Sequence, residues 1–131
     1  MLKKISLILI ILFYFVAGIN HFRHPEAYLR LIPAYIPNHG LINIISGSIE
    51  IALAILFIFP FTRQCAAYGT VILLAAFIPA HVVMVQEGWC TSTGFCFPEW
   101  VIWLRLFPVQ FILMWWAWQH RKKVYDYHSF R

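Results

Sequence analysis

Five polar side chains interrupt otherwise apolar stretches of this sequence and are the first candidates for chemistry. They are His21, Ser46, Glu50, His81 and Arg105. A carboxylate, a guanidinium and two imidazoles can hydrogen-bond a polar ligand or exchange protons with it. An ionisable group inside an apolar segment is costly, usually faces the protein interior, and marks a functional site. We therefore predict that these five residues form a polar cluster that binds a small molecule.

Each member of this cluster also has a structural alternative. Glu50 and Arg105 could form an ion pair that locks two helices together, or Arg105 could extend its charge to a membrane interface. His81 could hydrogen-bond a carbonyl that Pro79 leaves without a donor. His21 could be an ordinary interfacial residue. The types and order of these residues are compatible with a ligand-binding cluster and with these structural roles.

Other signals for chemistry are weak. Gln110 lies about 140° around a regular helix from Arg105, so we expect it to serve a different contact. Two histidines and one glutamate match no metal motif, so no metal site is predicted. No cofactor is evident, although a quinone fits the predicted cluster. The sequence has no self-contained catalytic motif and leaves open whether the protein is an enzyme or a non-catalytic subunit of an oxidoreductase system.

Three cysteines divide between two parts of the chain. Cys90 and Cys96 have five residues between them and could form a structural disulfide, a redox-exchanging pair or free thiols. Their spacing is not C-x-x-C, which argues against exchange. Cys65 stands alone, and we expect it to be inert.

The composition indicates which solvent surrounds the protein that carries these residues. The chain of 131 residues is 62% hydrophobic and only 11% charged, whereas soluble domains have about 25% charged residues. Most of its surface must therefore face lipid. The net charge of +5 comes from chain ends and short connections, without the basic stripe of a nucleic-acid-binding protein. We predict an integral membrane protein whose first partner is the bilayer, and no nucleic-acid partner.

Four apolar runs are each close to the roughly 20 residues that cross a bilayer. They cover residues 5–22, 41–61, 65–86 and 100–118 of a single domain, 1–131. Helices are expected because lipid offers no partner for backbone groups, and the runs lack the alternation of barrel strands. The prediction is an all-α, four-helix transmembrane bundle. The alternative for the first run is a cleaved signal peptide, which its basic start and apolar middle resemble.

The first outer loop is predicted to contain a short interfacial helix. Pro25 and Glu26 are typical of a helix start, and apolar residues follow at helical spacing. Pro33 and Pro37 then favour an extended or turning segment. The alternative is a surface loop held by these two prolines.

Basic residues set the expected orientation. With four spans, seven of them fall on one side and two on the other, which places both termini in the cytoplasm by the positive-inside rule. The seven are Lys3, Lys4, Arg63, Arg121, Lys122, Lys123 and Arg131; the two are Arg23 and Arg30. Within the second span Asn43, Ser46, Gly47 and Glu50 recur at steps of three and four, so we expect this face to point inward.

Several short stretches carry a family resemblance in their order and spacing. They are Gly18 to Phe22 with Pro25, Tyr28-Leu29, Ile32-Pro33 through Pro37, Ser46 to Glu50, Arg63 with Ala66-Ala67 and Gly69, Pro79 to His81 with Met84, and Leu104-Arg105 through Pro108 and Gln110 to Trp115-Trp116-Ala117. With them the chain resembles the DoxX family, within the wider DoxX/MauE group of small four-span bacterial membrane proteins. The resemblance runs nearly end to end. It departs from the family at His81, where Asn is more usual, and in the segment with Cys90 and Cys96.

The resemblance implies a bacterial inner-membrane protein with a redox-associated role. Relatives include a quinone-linked thiosulfate oxidoreductase subunit, a protein needed to mature methylamine dehydrogenase, and members associated with redox-stress defence. We therefore expect an accessory subunit that binds a small molecule or quinone at an outer-leaflet polar cluster, together with a protein partner or as a homo-oligomer. The alternatives are a small-solute transporter, which intramembrane Glu and His would suit, and a structural scaffold without its own ligand.

Overall fold

The computed structural model describes residues 1–91 and 93–121, and this part of the chain is all-helical, as predicted, with no β-strand. Its elements are α1 (Leu2–Arg23), α2 (Pro25–Leu29), α3 (His39–Ile58), α4 (Arg63–Ala76), α5 (Ile78–Glu87), α6 (Glu99–Leu104), a π-helical turn (Arg105–Val109) and α7 (Gln110–Gln119). Lys122, Lys123 and Arg131, which count toward the predicted orientation, lie outside the described residues.

Four helices in the described part are long and apolar enough to cross a membrane. They are α1, α3, α4 with α5, and α6 through α7, with 22, 20, 25 and 21 residues. At 1.5 Å per residue each spans about 30 Å or more, the thickness of a bilayer core. Their ends lie within three residues of the four predicted runs.

The four long helices run up and down in chain order. The first loop, with α2, and the segment that joins α5 to α6 therefore lie at one end, here called the hairpin end. The N-terminus and the end of α7 lie at the other, the terminal end. The short helix predicted at Pro25 is present as α2, because a proline at the first helical position needs no N–H partner. It packs against α1 and α3.

Two prolines interrupt the second pair of long helices. Pro79 cannot donate to the carbonyl of Ala75, and the helix breaks at Phe77 between α4 and α5. Pro108 lies within the π-helical turn, where the fourth helix widens. The break near Pro79 follows from its missing N–H group, whereas the wide turn around Pro108 has no signal in the apolar pattern.

Two glycines bring α1 and α3 into backbone contact. A Cβ atom added to Gly18 would lie 2.8 Å from the carbonyl oxygen of Gly47, and one added to Gly47 would lie 2.9 Å from the carbonyl oxygen of Gly18. Side chains at these positions would overlap the neighbouring backbone. Small residues at a helix crossing permit this close approach.

The apolar core fills the terminal end of the bundle. Its buried members are Ile10, Tyr14, Ala54, Phe57, Ala66, Ala67, Leu74, Leu113 and Ala117. Outside this core much of each long helix is exposed or half-buried, and many of the exposed side chains are large and apolar, as at Val16, Ile72 and Phe107. An uncovered apolar surface of this extent would be unstable in water.

Candidate functional site

A cavity of about 330 Å³ opens at the hairpin end, above the core. It lies between α1, α2 and α3 on one side and α5 and the π-helical turn on the other. The structure places all five residues of the predicted cluster on its wall: His21, Ser46, Glu50, His81 and Arg105. The volume is at the lower end of the range for small-molecule sites. The rest of the wall is largely apolar, with Phe77 and Met84 among its side chains.

His21, Asn43 and Glu50 form a connected polar group between α1 and α3. Asn43 Nδ2 donates to the carbonyl oxygen of His21 at 2.9 Å, and Asn43 Oδ1 lies 2.7 Å from His21 Nδ1. On the other side of the ring, His21 Nε2 lies 3.4 Å from Glu50 Oε2. All three residues are buried. The face of α3 that carries Asn43, Gly47 and Glu50 points inward, as predicted.

The structural alternative of a direct ion pair between Glu50 and Arg105 is not seen among the described residues. Among the described residues the basic group within 4 Å of Glu50 is His21, and no carboxylate lies within 4 Å of the Arg105 guanidinium. Glu50 Oε2 is fully buried and has no hydrogen-bond partner in the described part of the chain. Glu50 and Arg105 both line the cavity.

Gln110 contacts Arg105 directly, so the prediction of a different contact is wrong. Arg105 Nη1 donates to Gln110 Oε1 at 2.7 Å. The calculation of about 140° assumed a regular α-helix, whereas a π turn bonds residues five apart and brings them to one face. Gln110 Nε2 in turn donates to the carbonyl oxygen of Leu74 on α4. Gln110 therefore ties Arg105 to the neighbouring helix.

His81 also bonds a carbonyl beside the helix break. Its Nδ1 lies 2.8 Å from the carbonyl oxygen of Phe77. The carbonyl that Pro79 leaves without its usual donor belongs to Ala75, four residues before the proline. The expected kind of hydrogen bond is thus present, but at Phe77.

Asn20 and Tyr28 are site residues that the sequence reading did not include. Asn20 Nδ2 donates to the Tyr28 hydroxyl at 2.7 Å, and the Tyr28 ring stacks on His21 with centroids 3.8 Å apart. Both line the cavity. Burial raises the pKa of the Tyr28 hydroxyl, which is therefore an O–H donor at neutral pH. The signal for Asn20 was its position beside His21 at the end of an apolar run.

The segment between α5 and α6 closes into a small aromatic hairpin. Cys90 and Cys96 form a disulfide with an Sγ–Sγ distance of 2.03 Å, and Cys65 is free and exposed. Trp89 stacks on Phe97 with centroids 4.2 Å apart. Because Trp89 also lines the cavity, the disulfide closes a hairpin whose base is part of the cavity wall.

The described part of the cavity wall presents hydrogen-bond donors and no set of metal ligands. In residues 1–91 and 93–121, no group of three or more His, Cys, Asp or Glu side chains is arranged to hold a metal ion. Arg105 has four N–H groups beyond the one used by Gln110, and Tyr28 adds its O–H. The arrangement can therefore bind a ligand that carries hydrogen-bond acceptors on an apolar body.

The fold and the site of the described residues define a class of protein, all-helical with four membrane-length helices and a largely apolar cavity that carries a cluster of polar side chains. The model of a family described as a domain of unknown function (DUF8561) matches residues 10–121. The chain belongs to this family. No curated protein and no solved structure matches it.

Proposed function

We propose that this protein is a multi-pass membrane protein of the DoxX/MauE type that acts as a redox-associated accessory subunit. In this proposal it binds a small molecule, foremost the headgroup of a quinone, in the cavity at the hairpin end. The protein resides in a bacterial inner membrane with both termini in the cytoplasm, and it works with a protein partner or as a homo-oligomer. The observation that carries the proposal is the convergence of five polar residues from all four long helices on one cavity.

The exposed surface supports the membrane part of this proposal. Large apolar side chains are exposed along every long helix, and lipid is the solvent in which such a surface is stable. Trp100, Trp103 and Trp115 are each at least half exposed on the fourth helix. Trp100 lies at the hairpin end and Trp115 toward the terminal end, as tryptophans at the two interfaces of a bilayer would. The helix α2, which covers one side of the cavity, then lies at the outer interface.

Donors from two sides support the choice of ligand. Arg105 and Tyr28 reach the cavity from the π turn and from α2, and both present N–H or O–H groups. A quinone ring has two carbonyl acceptors and no donor, so it can accept from both. Its apolar body suits the apolar part of the wall.

The shape of the bundle favours a binding site over a solute path. The core at the terminal end contains the fully buried Tyr14 and Phe57, and neither lines the cavity. A transporter would need a route past this packed layer. The structure therefore supports ligand binding at one end of the bundle better than passage through it.

The experiment is a thermal-shift measurement on the detergent-purified protein with short-chain quinones. We expect a quinone to raise the melting temperature of the native protein and of Arg30→Gln, whose side chain is exposed and outside the cavity. Arg105→Gln should lose the shift while keeping its helical circular dichroism. The absence of any shift in the native protein would contradict quinone binding and would favour the scaffold role.

A further inference from the structure

The contacts of Asn43 determine which nitrogen of His21 carries a proton. Asn43 Nδ2 donates to the His21 carbonyl oxygen, which fixes the amide so that its Oδ1 faces His21 Nδ1 at 2.7 Å. Since Oδ1 is an acceptor, Nδ1 must be the donor. In a neutral His21, Nε2 then carries a lone pair.

With Nδ1 as the donor to Asn43, the contact between His21 Nε2 and Glu50 Oε2 requires one proton on one of these two atoms. His21 Nε2 faces Glu50 Oε2 at 3.4 Å, and an ionised carboxylate there would place two lone pairs against each other in a buried site. One proton, on either the carboxyl or the imidazole, removes this conflict. In both cases the pair as a whole is uncharged.

The other titratable groups around the pair are also uncharged. Tyr14 on α1 is fully buried, with no hydrogen-bond partner for its hydroxyl in the described residues, and Tyr28 on α2 is a neutral donor. His81 on α5 donates from Nδ1 to the carbonyl oxygen of Phe77 and lines the same cavity as Arg105. Arg105 therefore carries the net charge of the cavity among the described residues, because the His21–Glu50 pair sums to zero wherever its proton lies.

An unpaired guanidinium against an apolar wall is unfavourable until a counter-ion reaches it. We propose that the cavity selects an anionic headgroup (a carboxylate, an enolate or an oxyanion) on an apolar ring or chain, and that Arg105 binds it. This rests on the proposed function and narrows it, because it favours ionised members of the quinone class over uncharged ones. A planar guanidinium can hold such a group through two parallel hydrogen bonds.

The test compares two ligands of almost the same shape. One is a hydroxynaphthoquinone whose ring hydroxyl is ionised at neutral pH, and the other is the uncharged parent naphthoquinone. Dissociation constants are measured by calorimetry in a neutral detergent, in a Cys65→Ser background because quinones alkylate free thiols. We expect the anion to bind about tenfold more tightly or better, as a charge-assisted hydrogen bond implies.

Two variants distinguish the source of this preference. Arg105→Gln should bring the affinity ratio close to one. Glu50→Gln should leave the ratio within about threefold of the native value, because a neutral amide beside a neutral His21 keeps the net charge of the pair at zero. A tenfold gain in anion affinity in Glu50→Gln would overturn the inference, since it would show that Glu50 is ionised and is the counter-ion of Arg105.

The remaining outcomes are also decisive. Equal binding of both ligands, or tighter binding of the neutral one, would overturn the anion preference while leaving quinone binding intact. Binding of neither ligand would overturn the proposed function together with this inference. Competition by a short-chain anionic phospholipid would support the anion preference and identify the membrane as the source of the headgroup.

Discussion

Arg105 and Gln110 lie five residues apart in one helix and are joined by a hydrogen bond of 2.7 Å. The pairing depends on the wide turn at Pro108, and Gln110 is fully buried where it also binds Leu74. A glutamine in this position holds a charged side chain and a neighbouring helix at the same time.

Replacement of Gln110 by leucine should therefore destabilise the protein. The change leaves an Arg105 N–H without its partner and removes one of the two donors to the Leu74 carbonyl, the other being Phe77 N–H, at a cost of about 1–3 kcal/mol. Thermal unfolding in detergent measures the effect, and Gln119→Leu at the exposed end of α7 is the matched control. Equal melting temperatures for the two variants would show that the hydrogen bonds of Gln110 contribute little.

Replacement of Gly47 by alanine should disrupt the crossing of α1 and α3. The new methyl group would lie 2.7 Å from His21 Cβ and 2.9 Å from the Gly18 carbonyl oxygen. Overpacking of this kind costs about 1–3 kcal/mol, and the shift of His21 should also weaken ligand binding. Gly40→Ala in the same helix is the control, because nothing lies within 4 Å of the added group. A Gly47→Ala protein as stable as Gly40→Ala would contradict the close contact.

His120 should make stability depend on pH. Burial lowers the pKa of the His120 imidazole, as does the nearby Arg63. An unfolded histidine titrates near pH 6.5, so the unfolded state takes up the proton first as the pH falls. The contribution of His120 is complete above about pH 6.5 and is lost as the pH falls through the folded pKa.

The measurement is the fall in melting temperature between pH 7.5 and pH 5.5. We expect a smaller fall in His120→Gln, which can still bond Ser6, than in the native protein. His24→Gln, at an exposed position, should behave like the native protein. An identical pH dependence of the melting temperature in the native protein and both variants would show that His120 does not contribute to it.

The cysteines should report both the disulfide and the orientation. In the proposed topology the Cys90–Cys96 hairpin faces the oxidising side and Cys65 faces the cytoplasm. A membrane-impermeant maleimide should leave Cys65 unlabelled in intact spheroplasts and label it after permeabilisation. Reduction should expose two further thiols, and loss of the disulfide should lower stability by about 2 kcal/mol for so short a loop. Labelling of Cys65 without permeabilisation would indicate the opposite orientation. The Cys65→Ala variant is the control that shows which residue is labelled.

The long elements could be predicted from the sequence because their length and apolar content are fixed by the bilayer. The pairings within the site could not. The partner of Glu50 proved to be His21 because the Gly18–Gly47 contact brings α1 against α3, and no periodicity measures that distance. The wide turn after Arg105 changes which residues share a face, so an angle computed for a regular helix misplaced Gln110. Asn43 was placed on the inward face, but its role depends on a carbonyl in another helix.

The glycine contact between α1 and α3 also makes the two sides of the cavity mechanically unequal. Two backbones that already touch cannot approach further, and they resist sliding because side chains flank the contact. The facing side consists of helices broken near Pro79 and Pro108, whose interrupted hydrogen-bond ladders bend more easily. When a ligand larger than the empty space enters, α1 and α3 should keep their positions. The helix α5 and the π turn should move to make room.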